Sequence, residues 1–281
     1  MSASPAPRID AHMHWWSIAR DDYGWLTPDL GVLYRDYGPA EAVPLLKTCG
    51  IDGVVLVQAA QAVAETRYLL EMAHAAPCVR GVVGWVDLTA PAQLSALATD
   101  KLLVGIRPML QDLPDDDWIL RRDVTPGLRL IEELGLVFDT LVYPRHLASI
   151  IELVERHPDL NIIIDHGAKP DIAAGQMQPW KSALAQLAAI PHVHCKLSGL
   201  VNEAKEGAGP DDLAPFVDAI FELFGANRVV WGSDWPVVTQ RLDYVAWWQW
   251  ARQLTEALRP REREAVFGGT ASRFYRLSAQ A

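Results

Sequence analysis

Cysteine, long apolar runs and surplus positive charge are all scarce in this sequence. The 281 residues include three widely spaced cysteines and no Cys-x-x-Cys pair, which excludes a disulfide framework and a zinc knuckle; they are Cys49, Cys78 and Cys195. No stretch approaches the roughly 18 uncharged apolar residues of a membrane-spanning helix. With 25 Lys and Arg against 35 Asp and Glu, the formal net charge of −10 excludes nucleic acid and anionic membranes as favoured partners.

The amino-terminal residues carry no export signal. Residues 1–8 lack the apolar core of a signal peptide. Together with thiols expected to be reduced, this predicts a cytoplasmic protein. Half of the residues (50%) are hydrophobic and 21% are charged, the balance of a globular protein with a large core.

Eight short apolar runs alternate with helical patterns along the chain. Most runs are apolar throughout, which is typical of parallel strands that helices cover on both faces. The runs are residues 8–12, 53–58, 79–86, 102–107, 136–140, 161–166, 192–197 and 228–233. The helical patterns are residues 39–49, 62–75, 90–99, 125–134, 147–156, 180–189, 212–224 and 244–258. Eight such units without a linker predict an α/β fold, one (β/α)₈ TIM barrel over residues 1–281. A doubly wound open sheet is the alternative, but no Gly-x-Gly-x-x-Gly follows the first run.

Two connections between these elements are long. Residues 13–39 are too aromatic for a solvated linker and predict a lid over the barrel mouth. Residues 200–215 are rich in Gly and Asp, and we expect them to be exposed. Because barrel enzymes carry their chemistry at the carboxyl ends of the strands, the residues that close each run are the candidates for a site.

Two histidines close the first run. His12 and His14 are two residues apart, so on a strand both side chains point to the same side. Two converging imidazoles suit a divalent metal or a polarised carbonyl group, and a pair of structural histidines is the alternative.

The sixth run ends in Asp165-His166-Gly167-Ala168-Lys169. We expect His166 at the mouth as a third imidazole. Asp165 should lie on the opposite side of the strand, either as a group that supports the site residues or, as we prefer, as a structural group paired to a helix. Lys169 suits either contact with a substrate or a loop cap.

A carboxylate closes the eighth run. Asp234 follows an apolar strand, where burial without a partner is costly, so it should meet a cation, an imidazole or a bound water. It is the natural general base. The alternative is a helix cap, which Pro236 would allow.

Two cations interrupt other runs. Arg107 closes the fourth run and Lys196 lies in the seventh. Such charges suit an oxyanion or the hydroxyl groups of a substrate, and an ion-pair network inside the barrel is the alternative.

Three motifs together resemble the amidohydrolase superfamily of (β/α)₈ hydrolases. They are Asp-Ala-His-Met-His at 10–14, Asp-His-Gly-Ala-Lys-Pro at 165–170 and Trp-Gly-Ser-Asp-Trp-Pro at 231–236. Segments at 23–28, 33–36, 81–87, 107–112, 195–199 and 267–276 are similar to its sugar-lactone hydrolase branch (amidohydrolase family 2), nearest to the L-fucono- and L-rhamnonolactonases. The likeness covers nearly the whole chain.

The resemblance implies hydrolysis of an aldonolactone, such as L-fuconolactone, to the aldonic acid in sugar catabolism. It places His12, His14, His166 and Asp234 in the active site. Because the fourth run ends in Arg107 rather than a bridging Lys, and the fifth ends without His, a two-metal centre is not expected. One Zn²⁺ on His12, His14 and Asp234, or catalysis without metal, is compatible with the pattern.

The mechanism expected from these residues is attack by a water that Asp234 activates. His12, His14 and a metal, if one is used, would polarise the lactone carbonyl, while His166, Arg107 and Lys196 hold the oxyanion and hydroxyls. Lys169 is a further candidate for substrate binding, and Trp25 and Trp235 are candidates for stacking on the sugar.

Other functions on the same barrel remain as alternatives. They are a decarboxylase of unsaturated carboxylic acids, a non-catalytic sugar-acid binding protein, and an amide or phosphoester hydrolase. Apolar helix faces suit a core and an interface alike, so a homo-oligomer is compatible with the sequence. The stereochemistry of the lactone and its ring size, 1,4 or 1,5, are left open.

Overall fold

Strands and helices alternate along residues 6–278, the part of the chain that a computed structural model describes. The predictions made for residues 1–5 and 279–281, including both ends of the predicted barrel range, lie outside the described residues. Eight strands form one parallel sheet in chain order, each paired with the next. They are β1 Ile9–Met13, β2 Gly53–Val57, β3 Val79–Gly84, β4 Leu103–Ile106, β5 Val137–Thr140, β6 Asn161–Ile164, β7 His194–Leu197 and β8 Val229–Trp231.

The sheet curves until its first strand meets the chain that follows its last. The Asp234 N–H donates to the carbonyl of His12 at 2.8 Å, and the His14 N–H donates to the carbonyl of Trp235 at 2.7 Å. Met13 and Trp235 form a parallel bridge at the same place. The predicted (β/α)₈ barrel is therefore confirmed, and its seam lies between two of the motifs that predicted a site.

Eight helices lie in the regions where the helical patterns predicted them, and two short helices after residue 258 were not predicted. They are α1 Pro39–Cys49, α2 Val63–Ala75, α3 Leu94–Leu97, α4 Thr125–Glu133, α5 Leu147–Arg156, α6 Trp180–Ala188, α7 Pro210–Phe224, α8 Tyr244–Leu254, α9 Pro260–Glu264 and α10 Thr270–Phe274. The bounds of α1 and α5 agree with the predicted ones. The third helix is shorter than predicted because its first residues, Pro91–Gln93, form a 3₁₀ turn.

Two connections differ in their exposure. Residues 13–39, the predicted lid, bury most of their aromatic side chains; Trp16 lies with its ring centroid 5.6 Å from that of Trp25 and 5.5 Å from that of Tyr37. The expectation that residues 200–215 are exposed is wrong for much of the segment. Leu200, Val201 and Ala204 are buried, and Pro210 already begins α7. The apolar side chains of Leu200, Val201 and Ala204 pack into the core, although Gly and Asp residues are frequent in the same segment.

The amino ends of the strands enclose a second, smaller core inside the barrel. Its aliphatic side chains are Ile9, Ala11, Val55, Val57, Val83, Val104, Val137, Ile163 and Val230. Ala271 of α10 and the following Tyr275 belong to the same cluster, so the end of the chain closes the barrel floor. No helix within residues 6–278 has both the length and the apolar character needed to cross a bilayer.

Candidate active site

An irregularity in β1 turns its two histidines into the barrel. Ile9 and Ala11 face the interior core, whereas Asp10 accepts a hydrogen bond from the Tyr244 hydroxyl of α8 at 3.1 Å on the outside. The pairing of β1 with β2 shifts between Asp10 and Met13, a distortion often found beside active sites. After the shift, His12 and His14 both face inward, with their Nε2 atoms 3.2 Å apart.

The two imidazoles have different partners. The Lys196 ammonium lies 3.0 Å from His12 Nδ1 and Arg107 Nη1 lies 3.3 Å from His12 Nε2, so both nitrogens of this ring face groups that only donate. His14 Nδ1 lies 2.7 Å from the carbonyl oxygen of Val57, which only accepts, so Nδ1 carries the proton there. Burial and the Lys196 charge hold the pKa of His12 well below its ordinary value, which keeps the ring neutral.

Asp234 meets these imidazoles at the carboxyl end of β8. Its Oδ1 lies 3.2 Å from His14 Nε2 and 3.6 Å from His12 Nε2. Burial opposes its charge, but the nearby His166 and the hydrogen bond with His14 lower the pKa of Asp234 below its ordinary value. The side chain is therefore a carboxylate at neutral pH. Its backbone adopts a φ of 57°, a sparsely populated conformation that often marks functional residues.

His166 completes the group from the end of β6. Its Nδ1 lies 2.9 Å from the Ser198 hydroxyl, and its Nε2 lies 4.0 Å from Asp234 Oδ1. A Cβ at Gly199, where φ is +64°, would lie 2.5 Å from His166 Nδ1, so only glycine leaves room for this ring. Burial lowers the pKa of His166 to about 4 despite the neighbouring carboxylates. We call His14, His166 and Asp234 the mouth cluster.

Below the mouth cluster lies a layer of four buried charges, which we call the charged layer: Arg107, Asp139, Asp165 and Lys196. Arg107 Nη1 donates to Asp165 Oδ2 at 3.1 Å. Lys196 Nζ donates to Asp139 Oδ2 at 2.5 Å and forms an ion pair with Asp165 Oδ1 at 2.9 Å. Burial would oppose ionisation of Asp165, yet Lys196 and His12 hold its pKa well below the ordinary value.

This layer corrects one expectation. Asp165 was expected on the outer side of its strand, paired to a helix. Instead its carboxylate lies inside the barrel, fully buried, between Arg107 and Lys196. The chain leaves the strand geometry at this residue, because a 3₁₀ turn begins at Asp165, so the alternation of side chains no longer applies.

The mouth cluster borders a cavity of about 170 Å³. Its lining residues are His14, Trp25, Ala59, Arg107, Met109, Gln111, Asp112, Leu141, His166, Lys169, Asp234 and Val237. The volume is below the roughly 300–1,000 Å³ typical of sites for drug-sized ligands, and it suits a small molecule. Six of the predicted site residues, Trp25 of the predicted lid among them, therefore share one cavity.

Two cations reach this cavity in different ways. Lys169 is half-buried, and its Nζ donates to Gln111 Oε1 at 2.6 Å. Arg107 is 2% exposed and is held by Asp165 and by the carbonyl of Gln58. Among the described residues, Arg107 Nε is a buried donor without a hydrogen-bond partner. Such a donor is available to an oxygen of a bound molecule.

Three predicted site residues lie outside the cavity lining. His12 and Lys196 are fully buried beneath the mouth cluster. Trp235 is 3% exposed and packs edge-on against Tyr37 of the lid, with ring centroids 5.1 Å apart. Lys196 was predicted to touch substrate, but its place suits support of His12 instead. The ion-pair alternative considered for the two cations describes Lys196 well.

Sequence reasoning missed several residues that the fold brings to the site. Met109, Gln111 and Leu141 line the cavity just beyond the ends of β4 and β5. Their place after a strand end was the available signal, but none has a charge or an imidazole to single it out. Asp139 of β5 was noted only because no histidine follows it, although it contacts Lys196 directly.

The spacing of the donor atoms fits a single metal ion. Donors about 2.1 Å from a tetrahedral Zn²⁺ lie about 3.4 Å from one another. The separations of 3.2, 3.2 and 3.6 Å among His12 Nε2, His14 Nε2 and Asp234 Oδ1 match this value. His12, His166 and Asp234 also offer donor atoms within 4.8 Å of one another, so His166 joins the predicted ligand set.

Sequence comparison connects this geometry to known proteins. The sequence profile of the amidohydrolase family matches residues 9–277. The chain is 47% identical to an L-fucono-1,5-lactonase of Burkholderia ambifaria, over 96% of this chain and 96% of that protein. It is 37% identical to an L-fucono-1,5-lactonase of Burkholderia multivorans, over 97% of each.

A solved structure shows the same architecture. The crystal structure of an amidohydrolase from Burkholderia multivorans with bound zinc superimposes with a TM-score of 0.92 at 37% identity. The alignment covers 97% of this chain and 100% of that one. That protein thus shares both the barrel and enough sequence for its site to be compared with this one.

Proposed function

The chain belongs to the amidohydrolase family and is a lactone hydrolase, and we propose that it opens a sugar lactone of the L-fucono-1,5 type to the aldonic acid. Relatives of nearly equal length and 37–47% identity that carry this activity support the proposal. They favour hydrolysis over the decarboxylase and the non-catalytic binding protein that the barrel alone would also allow.

One observation carries the chemistry: the Asp234 carboxylate stands between three imidazoles and a small cavity. Its Oδ1 makes the hydrogen bond with His14 and the closest contacts with His12 and His166, and its Oδ2 makes no hydrogen bond within residues 6–278. Oδ2 is thus available to a water molecule in the cavity. A carboxylate held in this way is a suitable general base for hydrolysis.

In the proposed reaction Asp234 takes a proton from water while the water oxygen adds to the lactone carbonyl carbon. The bond from that carbon to the ring oxygen then breaks, and the proton returns to the ring oxygen as it becomes a hydroxyl. Arg107, through its unpartnered Nε, is placed to donate to the developing oxyanion. His14 and His166 flank the same carboxylate and orient it.

The donor set also fits one zinc ion on His12, His14 and Asp234, with His166 nearby. Zinc bound there would act as a Lewis acid that polarises the carbonyl or acidifies the water. A homologous structure with bound zinc supports this assignment. Dialysis against EDTA, followed by addition of stoichiometric Zn²⁺, tests whether turnover requires the ion.

The remaining cavity residues suit the hydroxyl groups and the ring of a sugar. Lys169, held by Gln111, is placed to bind hydroxyls or the carboxylate of the product. Trp25 offers an indole face, with its Nε1 donating to the carbonyl of Ala59 at 2.6 Å, which fixes the ring at the cavity. A role in L-fucose catabolism in the cytoplasm is the setting we propose for this reaction.

The proposal is tested by proton release on a panel of aldonolactones at neutral pH, followed with an indicator. The wild type should release protons rapidly with the lactones of one stereochemical subset. Because the panel contains both 1,4- and 1,5-lactones, the rates would also identify the ring size. Asp234→Asn should reduce kcat by about a thousandfold, because it removes the base, whereas exposed Asp211→Asn should not change it. Wild-type acidification at the background rate with every lactone would refute the proposed substrate class.

A further inference from the structure

A buried carboxylate holds the turn that follows β2. Glu65, in the first turn of α2, is fully buried. The Ala59 N–H donates to both of its oxygens, to Oε1 at 2.9 Å and to Oε2 at 3.0 Å, and the Ala60 N–H donates to Oε2 at 2.7 Å. The carboxyl group makes no other hydrogen bond within residues 6–278, so it serves this turn alone.

The sheet does not hold the same turn. β2 ends at Val57, and its last backbone bond runs from the Gln58 N–H to the carbonyl of Val83 at 2.8 Å. Ala59 and Ala60 lie beyond that bond and are buried, and in the described part of the chain their N–H groups have Glu65 as their acceptor. Because a buried N–H without an acceptor is costly, loss of the carboxylate would force the turn to move.

The other end of Ala59 anchors a ring of the cavity. Trp25 Nε1 donates to the carbonyl of Ala59 at 2.6 Å, and both residues line the cavity of the mouth cluster. Glu65 lies behind them and does not line the cavity. Ala59 is thus held by Glu65 through its N–H and holds Trp25 through its carbonyl.

We propose that Glu65 is a positioning residue that fixes Trp25 at the substrate cavity by holding the turn at Ala59 and Ala60. What the turn requires is an acceptor at the place of Oε2, which bonds both N–H groups, rather than a negative charge. The effect on substrate binding rests on the proposed function, whereas the effect on Trp25 does not.

Steady-state kinetics of Glu65→Met test the effect on substrate, because methionine fills a similar volume and accepts no hydrogen bond from the turn. We expect KM to rise about threefold and kcat to stay within about twofold, since Glu65 forms no hydrogen bond or ion pair with the mouth cluster in the described part of the chain. Glu65→Gln keeps an amide oxygen for the two N–H groups and should keep KM within about 1.5-fold. An unchanged KM in Glu65→Met, or an equal rise in both variants, would overturn the proposal.

A combined variant shows whether Glu65 acts through Trp25. In Glu65→Met with Trp25→Phe, KM should rise about threefold, as in either single variant, because both changes release the same ring. A rise of about ninefold, the product of two independent effects, would contradict the proposal. If Glu65→Met does not fold, Glu65→Asp takes its place in both experiments, because the side chain is one methylene shorter and withdraws its oxygens from the turn.

The Trp25 ring gives a readout that needs no substrate. In protein labelled with 5-fluorotryptophan, the ¹⁹F signal of Trp25 is assigned by its absence in Trp25→Phe. Glu65→Met should shift this signal. Glu132→Met is the matched control and should not, because Glu132 also accepts from a backbone amide, that of Asp159 at 3.2 Å, but does not line the cavity.

Two results of the ¹⁹F experiment would refute the positioning role even if lactone turnover is found. One is an identical Trp25 signal in the wild type and Glu65→Met, and the other is an equal shift in Glu65→Met and Glu132→Met. If no lactone is turned over but Glu65→Met alone shifts the Trp25 signal, the proposed function fails and the positioning role stands.

Discussion

The mouth cluster and the charged layer lie one above the other in the same barrel, yet their charges are arranged differently. In the charged layer two cations and two carboxylates balance, and each carboxylate has a cation within 3.1 Å. In the mouth cluster a single carboxylate meets the imidazoles of His14 and His166 and borders the cavity. Asp139 and Lys196 of the layer satisfy each other without a ligand, whereas Arg107 Nε, also in the layer, has no hydrogen-bond partner among the described residues. Unused donors and acceptors at the cavity, rather than charge itself, distinguish the residues that we expect to meet substrate from those that support them.

Two lysines provide the sharpest test of this difference. Lys196→Met leaves two buried carboxylates short of a partner and should lower the free energy of unfolding by about 3–5 kcal/mol. Lys169→Met makes the same chemical change at the cavity rim. It should change the free energy of unfolding by less than about 0.5 kcal/mol and raise KM about tenfold. Urea denaturation and steady-state kinetics on both variants provide the comparison. Similar losses of stability in the two would show that the two regions are not distinct.

The buried carboxyl groups of the barrel should affect stability with opposite dependence on pH. Burial raises the pKa of Asp139 to about 6 and that of Glu65, which accepts from the backbone of Ala59 and Ala60, to about 7. Between about pH 4 and 7 the folded protein therefore holds protons that the unfolded chain has released, and these groups make stability fall as the pH rises. Asp234 has a lowered pKa, so its charge stabilises the fold at pH values above the ordinary aspartate pKa of 3.8. This contribution is lost as the pH falls below 3.8 toward the pKa of the folded state.

Denaturation at a series of pH values measures this slope. Between pH 4.5 and 7, the free energy of unfolding should fall by about 1–3 kcal/mol less in Glu65→Gln than in the wild type, since each unit of pKa shift corresponds to about 1.4 kcal/mol. An unchanged slope in Glu65→Gln would mean that Glu65 is ionised in the folded protein throughout this range.

The pH dependence of activity should follow the lowered pKa values of Asp234 and His166 rather than the ordinary pKa of a histidine. Both Asp234 and His166 have lowered pKa values, His166 to about 4, and the proposed chemistry uses their deprotonated forms. We therefore expect kcat/KM to be level from about pH 5 to 8 and to fall about tenfold per pH unit below about pH 4. Product formation measured by NMR gives the profile. An acid limb centred near pH 6.5 would indicate an essential imidazole with an ordinary pKa.

The smallest expected effect separates two tryptophans. Trp25→Phe should raise KM about threefold, because Trp25 lines the cavity and is anchored on Ala59. Trp235→Phe should leave KM unchanged and lower the melting temperature by a few degrees, because that ring packs beneath the lid away from the cavity. A larger KM effect at Trp235 would restore the sequence-based prediction that it stacks on the substrate.

The sequence predicted the barrel well because parallel strands covered on both faces leave unbroken apolar runs, and every run became a strand. His12, His14, His166 and Asp234 were predicted for the same reason, since polar residues that close such runs must converge at one end of a barrel. The inward turn of Asp165 was missed because it depends on a 3₁₀ turn that breaks the period of two.

The support behind the site was less accessible to sequence reasoning. Lys196 closes a strand just as Arg107 does, and only the packing shows that one is sealed below His12 while the other reaches the cavity. The Tyr275 hydroxyl donates to Asp139, 136 residues away along the chain, and no local pattern indicates that α10 folds under the barrel. Such contacts arise only when the ring of strands is complete.

The seam of the barrel has a consequence for folding during translation. His14 and Asp234 are 220 residues apart, and the backbone bonds that join their strand ends are the last of the ring to form. At about 10 residues per second, the strand that carries Asp234 emerges roughly 20 seconds after the one that carries His14. Throughout that interval the nascent chain holds His12 and His14 without their base. Onset of lactone turnover during translation would therefore report completion of the whole ring.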